Sequence, residues 1–194
     1  MGQTRHTVRV RILSDEREPR LEIGNGIAVK PNWTIEADDF SIPAVVRINV
    51  TFDEDKGRFV AASVHVERDE GSEVTGAMLR EIRVQENIQS AGKGLVWVRQ
   101  DDGSLLTAAD DLARVRPIEG RTRDEHVPVA MRIYRLASVL GYPPLKSVAD
   151  LLHVSQSTAT RLIARGREEG EPDASVRGRK VYHASWKGLE RGDD

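Results

Sequence analysis

The sequence predicts an α+β protein: a mostly antiparallel β domain with one or two helices over residues 1–120, then an all-α domain over residues 121–194. Three observations carry this. β-Branched runs separated by hairpin-length turns fill the first part. Apolar residues recur at helical spacing beyond residue 126. The charge also divides. Residues 1–120 hold 16 Lys/Arg against 21 Asp/Glu, a net of −5, and residues 121–194 hold 13 against 10, a net of +3. An asymmetry of this kind points to one half meeting a polyanion. Two domains with differently solvated surfaces give the same numbers.

The elements follow in order. Residues 7–13, TVRVRIL, alternate apolar and polar as a strand does. RLEI at 20–23 and IAV at 27–29 flank Gly24-Asn25-Gly26, residues that tolerate positive φ and close a tight hairpin. AVVRINVTF (44–52) and RFVAASVHVER (58–68) form a second hairpin across Asp53–Gly57. Val60, Ser63 and His65 break simple alternation in its second strand, which predicts a bulge or burial on both faces. Thr75 or Ser72 caps a short helix whose inner face carries Met78, Leu79, Ile82 and Ile88. GLVWVRQ (94–100) is a further strand ending at Asp101-Asp102-Gly103, and LTAADDLARV (106–115) is a helix with Leu112 and Val115 inward. The polar segment Pro117–Asp124 is the best linker candidate.

The helical part opens at Pro128, read as a first-turn proline. Val129, Ile133, Leu136, Ala137 and Leu140 share one face of the helix that follows. Gly141-Tyr142-Pro143-Pro144 stops it. The stretch LKSVADLLHVSQSTATRLIARG, Leu145 to Gly166, then holds two helices about a short turn. Val148 and small Ala149 lie late in the first, Leu152 and Val154 bracket the turn, and Ser155 caps the second. Ala159, Leu162 and Ile163 face inward. Gln156, Ser157, Thr160, Arg161 and Arg165 remain outside.

These residues resemble the helix-turn-helix of bacterial and phage DNA-binding proteins, over about residues 126–170. One position departs from the pattern: the turn site most often held by Gly is His153, and a left-handed backbone costs His more than Gly. The resemblance implies a recognition helix, about 155–166, in the major groove. Gln156 then pairs with adenine and Arg161 with guanine. Ser155, Ser157 and Thr160 contact bases or phosphates, and Lys146, Arg165 and Arg167 contact phosphates. Beyond the pair, Arg177-Gly178-Arg179-Lys180 is open to three readings: a small wing, an arm entering a minor groove, or an unstructured basic tail. Tyr182 and Trp186 favour some docking of the tail.

Enzymatic readings find little. The chain has no Cys, which removes disulfides, thiolate metal sites and thiol nucleophiles. Its five His, at 6, 65, 126, 153 and 183, never pair at i, i+4. Gly92-Lys93-Gly94 lacks the Ser/Thr and upstream Gly of a phosphate loop, and no Gly-x-Ser-x-Gly elbow occurs. No cofactor or metal is expected. No apolar run approaches the roughly 18 residues of a membrane span, and the N-terminus shows no secretory h-region, so a cytoplasmic protein is expected. Ala/Arg/Val-rich usage with little Lys is the style of an actinobacterium or its phage.

The expectation is therefore a non-enzymatic, sequence-specific regulator of transcription, such as a repressor. It binds double-stranded DNA as a homodimer, because one helix pair buries too little surface for specific affinity. Two alternatives stand beside it: a phage or mobile-element interaction module working through the acidic residues 1–120, and a DNA-binding accessory factor in recombination or partition.

Overall fold

Hairpins dominate the first part of the computed structural model, which describes residues 9–39, 44–68, 73–118 and 123–170. The strands are β1 (Arg9–Leu13), β2 (Leu21–Gly24), β3 (Ile27–Val29), β4 (Asn32–Asp39), β5 (Ala44–Asp53), β6 (Arg58–Glu67), β7 (Val96–Arg99) and β8 (Leu105–Thr107). The helices are α1 (Gly76–Glu81), α2 (Val84–Gly92), α3 (Ala108–Ala113), α4 (Arg123–Leu140), α5 (Pro144–Leu152) and α6 (Gln156–Glu168). The protein is mixed α+β with two antiparallel sheets, ordered β1-β4-β5-β6 and β2-β3-β7-β8.

The β2–β3 turn forms as its residues dictate, with Asn25 at φ 56° and Gly26 at φ 69°. In β5, Ala44, Val46, Ile48, Val50 and Phe52 are buried in strict alternation. Its partner β6 slips register between Asn49↔Ser63 and Val50↔Ala61, leaving Ala62 as the extra residue of a bulge. That bulge is what broke the alternation in the sequence. β4 is an addition to the sequence reading. Its Trp33, Ile35 and Ala37 alternate inward, but Pro31 before it and an acidic end weaken the signal.

Several expectations shift. The single helix after Thr75 is two, α1 and α2, because Ile82 takes an extended conformation (ψ 107°) between them. Thr75 is the cap, its Oγ1 accepting from Met78 N–H, while Ser72 lies outside the described residues. Leu79, expected inward, is 51% exposed; α1 is too short to bury a full stripe once the break turns Ile88 inward on α2. The helix expected over 106–115 is α3 alone, since Leu105–Thr107 pair with β7 instead. Thr107 then caps α3, accepting from Asp110 N–H. Pro128 is not in a first turn: α4 begins at Arg123, so Pro128 lies within it. Buried His126 and Val127 hold that earlier turn in the core, and the exposed proline ring costs one i→i−4 hydrogen bond.

Two apolar cores result. The first joins both sheets (Trp33, Ile35, Ile48, Phe52, Phe59, Val29, Val96) with Ile88 of α2. Trp33 and Phe52 each meet Phe59 edge to face, with ring centroids 5.4 and 5.8 Å away. The second joins Val148, Ala149 and Leu152 of α5 with Ala159, Leu162 and Ile163 of α6. α4 feeds both: Val127, Ala130, Met131 and Ile133 enter the helical core, and Leu136, Val139 and Leu140 enter the sheet core. Its burial on several faces, wider than the single stripe expected, follows from that position. A cut at residue 120 leaves all of α4 on one side while its C-terminal half packs with the other. Among the described residues no helix is long and apolar enough to cross a membrane.

Candidate nucleic-acid interface

The exposed surface of α6 is built from the turn that precedes it. α4 ends at Gly141, whose φ of 76° reverses the chain. Pro144 sits at the first turn of α5, where its missing N–H is harmless. α5 ends on His153 in the left-handed region, φ 55° and ψ 43°. Both His153 N–H and Val154 N–H donate to the Ala149 carbonyl, the second at 2.9 Å. This wrapped end satisfies a carbonyl that the helix leaves without a partner. His therefore adopts the conformation that the pattern assigns to Gly.

Ser155 then starts α6. Its backbone is extended and its Oγ accepts from Thr158 N–H at 3.2 Å. The Ser155 carbonyl takes the first helical bond, from Ala159 N–H. Ala159 is fully buried, as are Leu162 and Ile163. Beneath the last turns lies Gly166. A Cβ there would fall 2.5 Å from Met131 Cγ and 3.2 Å from Val127 Cγ1. α6 thus crosses α4 at a point where only hydrogen fits. The sequence reading missed this contact. A glycine inside a helical pattern is the signal that marks such an approach.

With that side clamped, Gln156, Ser157, Thr160, Arg161, Ala164 and Arg165 are all exposed. At ~100° per residue they share one half of the helix circumference, with small Ala164 near its centre. Thr160 Oγ1 donates to the Gln156 carbonyl (2.9 Å) and Arg161 Nε to the Ser157 carbonyl (3.3 Å). Arg165 Nε meets Glu169 Oε1 at 2.7 Å. Arg167 leans the other way: its Nη2 reaches Tyr134 Oη at 3.3 Å and its guanidinium lies 5.6 Å from the ring centroid. Lys146 is exposed near the start of α5. Arg177, Arg179 and Lys180, with Tyr182 and Trp186, lie outside the described residues. Over 144–170 the chain carries four Lys/Arg against three Asp/Glu, so the arc offers positioned donors rather than a strong positive field.

Among the described residues no group of three or more His, Asp or Glu is gathered to hold a metal ion. No protein-family model matches the chain, and neither a curated protein nor a solved structure matches it.

Proposed function

We propose that the protein is a sequence-specific, double-stranded-DNA-binding regulator of transcription, acting as a homodimer. In this reading α4, α5 and α6 are a helix-turn-helix domain and residues 1–120 supply dimerisation or a partner contact. The observation that supports it is the two-sidedness of α6: one side seated on α4 and α5 through Ala159, Leu162, Ile163 and Gly166, the other presenting Gln156, Ser157, Thr160, Arg161 and Arg165. Gln156 and Arg161 read bases by bidentate pairs. Ser155, Ser157 and Thr160 take bases or phosphates; Lys146, Arg165, Arg167 and the basic tail residues Arg177, Arg179 and Lys180 position the chain on phosphates. No catalytic role is assigned.

Gel shift of the full chain against fragmented genomic DNA, over a salt series, tests this. Retarded fragments sharing a sequence support it, with an apparent affinity falling by about one log unit per log unit of salt for each phosphate neutralised. A folded protein that retards nothing at low salt rejects it.

One observation favours the interaction-module reading. Among the described residues β1 is an edge strand of its sheet and exposes Val10, Ile12 and Leu13, a kind of edge that seeks a partner. Substituting Ile12→Lys and weighing the particle by light scattering separates the readings. Lost dimers with lost DNA binding place β1 in the service of α6; a partner captured independently of DNA favours the module.

A further inference from the structure

The outer face of the β1-β4-β5-β6 sheet alternates in charge from strand to strand. Glu67 of β6 pairs with Arg47 of β5 at 3.2 Å, Arg47 with Glu36 of β4 at 2.9 Å, and Glu36 with Arg11 of β1 at 4.0 Å. Arg47 and Glu36 each have an opposite charge on both sides. Among the described residues Arg11 has one on a single side, at the limit of contact, and its side chain is 72% exposed. No further strand follows β1 among the described residues.

The inner face ends in the same way. Val10 lies opposite Ala37 and Ile12 opposite Ile35; Ala37 in turn lies opposite Val46 and Ile35 opposite Ile48. The four residues on β4 and β5 are buried, whereas Val10 and Ile12 are 47% and 43% exposed. The sheet therefore stops at β1 with an apolar pair uncovered on one face and a cation uncovered on the other. At the opposite edge, β6 carries the Ala62 bulge, which disrupts strand pairing. β1 pairs in unbroken register over its five residues.

We propose that β1 is a docking edge for an extended segment of a partner protein, one in which a carboxylate residue stands between two apolar residues. The backbone of that segment takes up the far-side N–H and C=O groups of β1, adding a strand to the sheet. Its two apolar side chains cover Val10 and Ile12. Its carboxylate faces Arg11 and carries the charge alternation one strand further. The same charge selects against a second copy of this chain. β1 paired antiparallel with itself along Arg9–Leu13 has its two-fold axis at Arg11, so two guanidinium groups stand opposite each other, and like charges in that position are destabilising. The inference rests on the reading of β1 as an edge that seeks a partner and names what the edge selects; it does not depend on DNA binding by α6.

The test is amide NMR of the full chain, titrated with the capped pentapeptide Thr-Val-Glu-Val-Thr and separately with Thr-Val-Lys-Val-Thr. The expected result is a saturable shift of the Val10–Leu13 amides by the glutamate peptide, with an affinity about three- to tenfold above that of the lysine peptide. Arg11→Glu, made at an exposed side chain, reverses the preference. Should that variant fail to fold, the two peptides on the unaltered chain still decide. Unshifted β1 amides with both peptides overturn the proposal; if Ile12→Lys also leaves the particle mass and partner capture unchanged, the edge reading falls with it. Equal affinity for both peptides, or shifts of the same amides on raising the protein concentration without peptide, overturn the acidic partner alone: the edge then works but takes any strand, or a second copy.

Discussion

The molecule carries two polar surfaces that differ in how they use their polar groups. On the outer face of the β1-β4-β5-β6 sheet, neighbours satisfy one another across strands. Thr34 Oγ1 donates to Asn49 Oδ1, Asn49 Nδ2 to Ser63 Oγ, and Ser63 Oγ meets His65 Nε2, at 2.8, 2.8 and 3.1 Å. Arg47 sits between Glu36 (2.9 Å) and Glu67 (3.2 Å). On α6, by contrast, Thr160 and Arg161 bond to their own helix backbone one turn back. Arg161 uses its Nε there, and its side chain is exposed. A polar face whose groups are closed on each other is a solvated wall; one whose donors are held but not exhausted is suited to meeting another molecule.

The largest expected effect comes from removing the support beneath the α6 face. Ile163→Ala deletes a buried side chain and should cost about 2–5 kcal/mol in denaturant unfolding. A much smaller cost would mean that the helical core is looser than its burial indicates. Next come the two surfaces themselves. On the proposed DNA-binding reading, Arg161→Ala should weaken specific DNA binding by about 1–3 kcal/mol, while Arg47→Ala on the sheet should leave it unchanged. Equal losses from both would erase the distinction between the two surfaces.

Smaller effects probe how α6 is held. Ser155→Ala removes the cap and should cost about 1 kcal/mol. His153→Gly should raise stability by up to ~1 kcal/mol, because glycine takes φ 55° without penalty but loses more chain entropy. Both are read as shifts in the denaturation midpoint. The smallest effect lies in the β5–β6 hairpin. The Lys56 side chain, together with its backbone N–H, holds the Asp53 carboxyl below its ordinary value. A lowered pKa stabilises the fold above the unfolded value of about 3.9 and loses that contribution as pH falls through the folded value. Asp53→Asn should therefore lower stability slightly at neutral pH, leave it unchanged at low pH, and so flatten the acid limb, by a small amount as expected for an exposed pair.

Short-range signals wrote much of this into the chain. The Gly24-Asn25-Gly26 turn, the alternation of β5, the stop at Gly141 and the Ser155 cap each depend on residues within a few positions, so their sequence pattern is sufficient. The outward arc of α6 is of the same kind, since periodicity alone separates Gln156 and Arg161 from Leu162 and Ile163. What periodicity cannot supply is a partner. The break at Ile82, the strand taken by Leu105–Thr107 and the place of Pro128 inside α4 were settled by what lay opposite. In each case burial or pairing with a distant segment outweighed a local preference of ~1–3 kcal/mol. The crossing at Gly166 and the meeting of Asp111, His126 and Arg132 belong wholly to the tertiary structure. Gly166 stands 35 or more positions from Met131 and Val127, Asp111 stands 15 or more from His126 and Arg132, and only the packing of α4 between two cores brings them together.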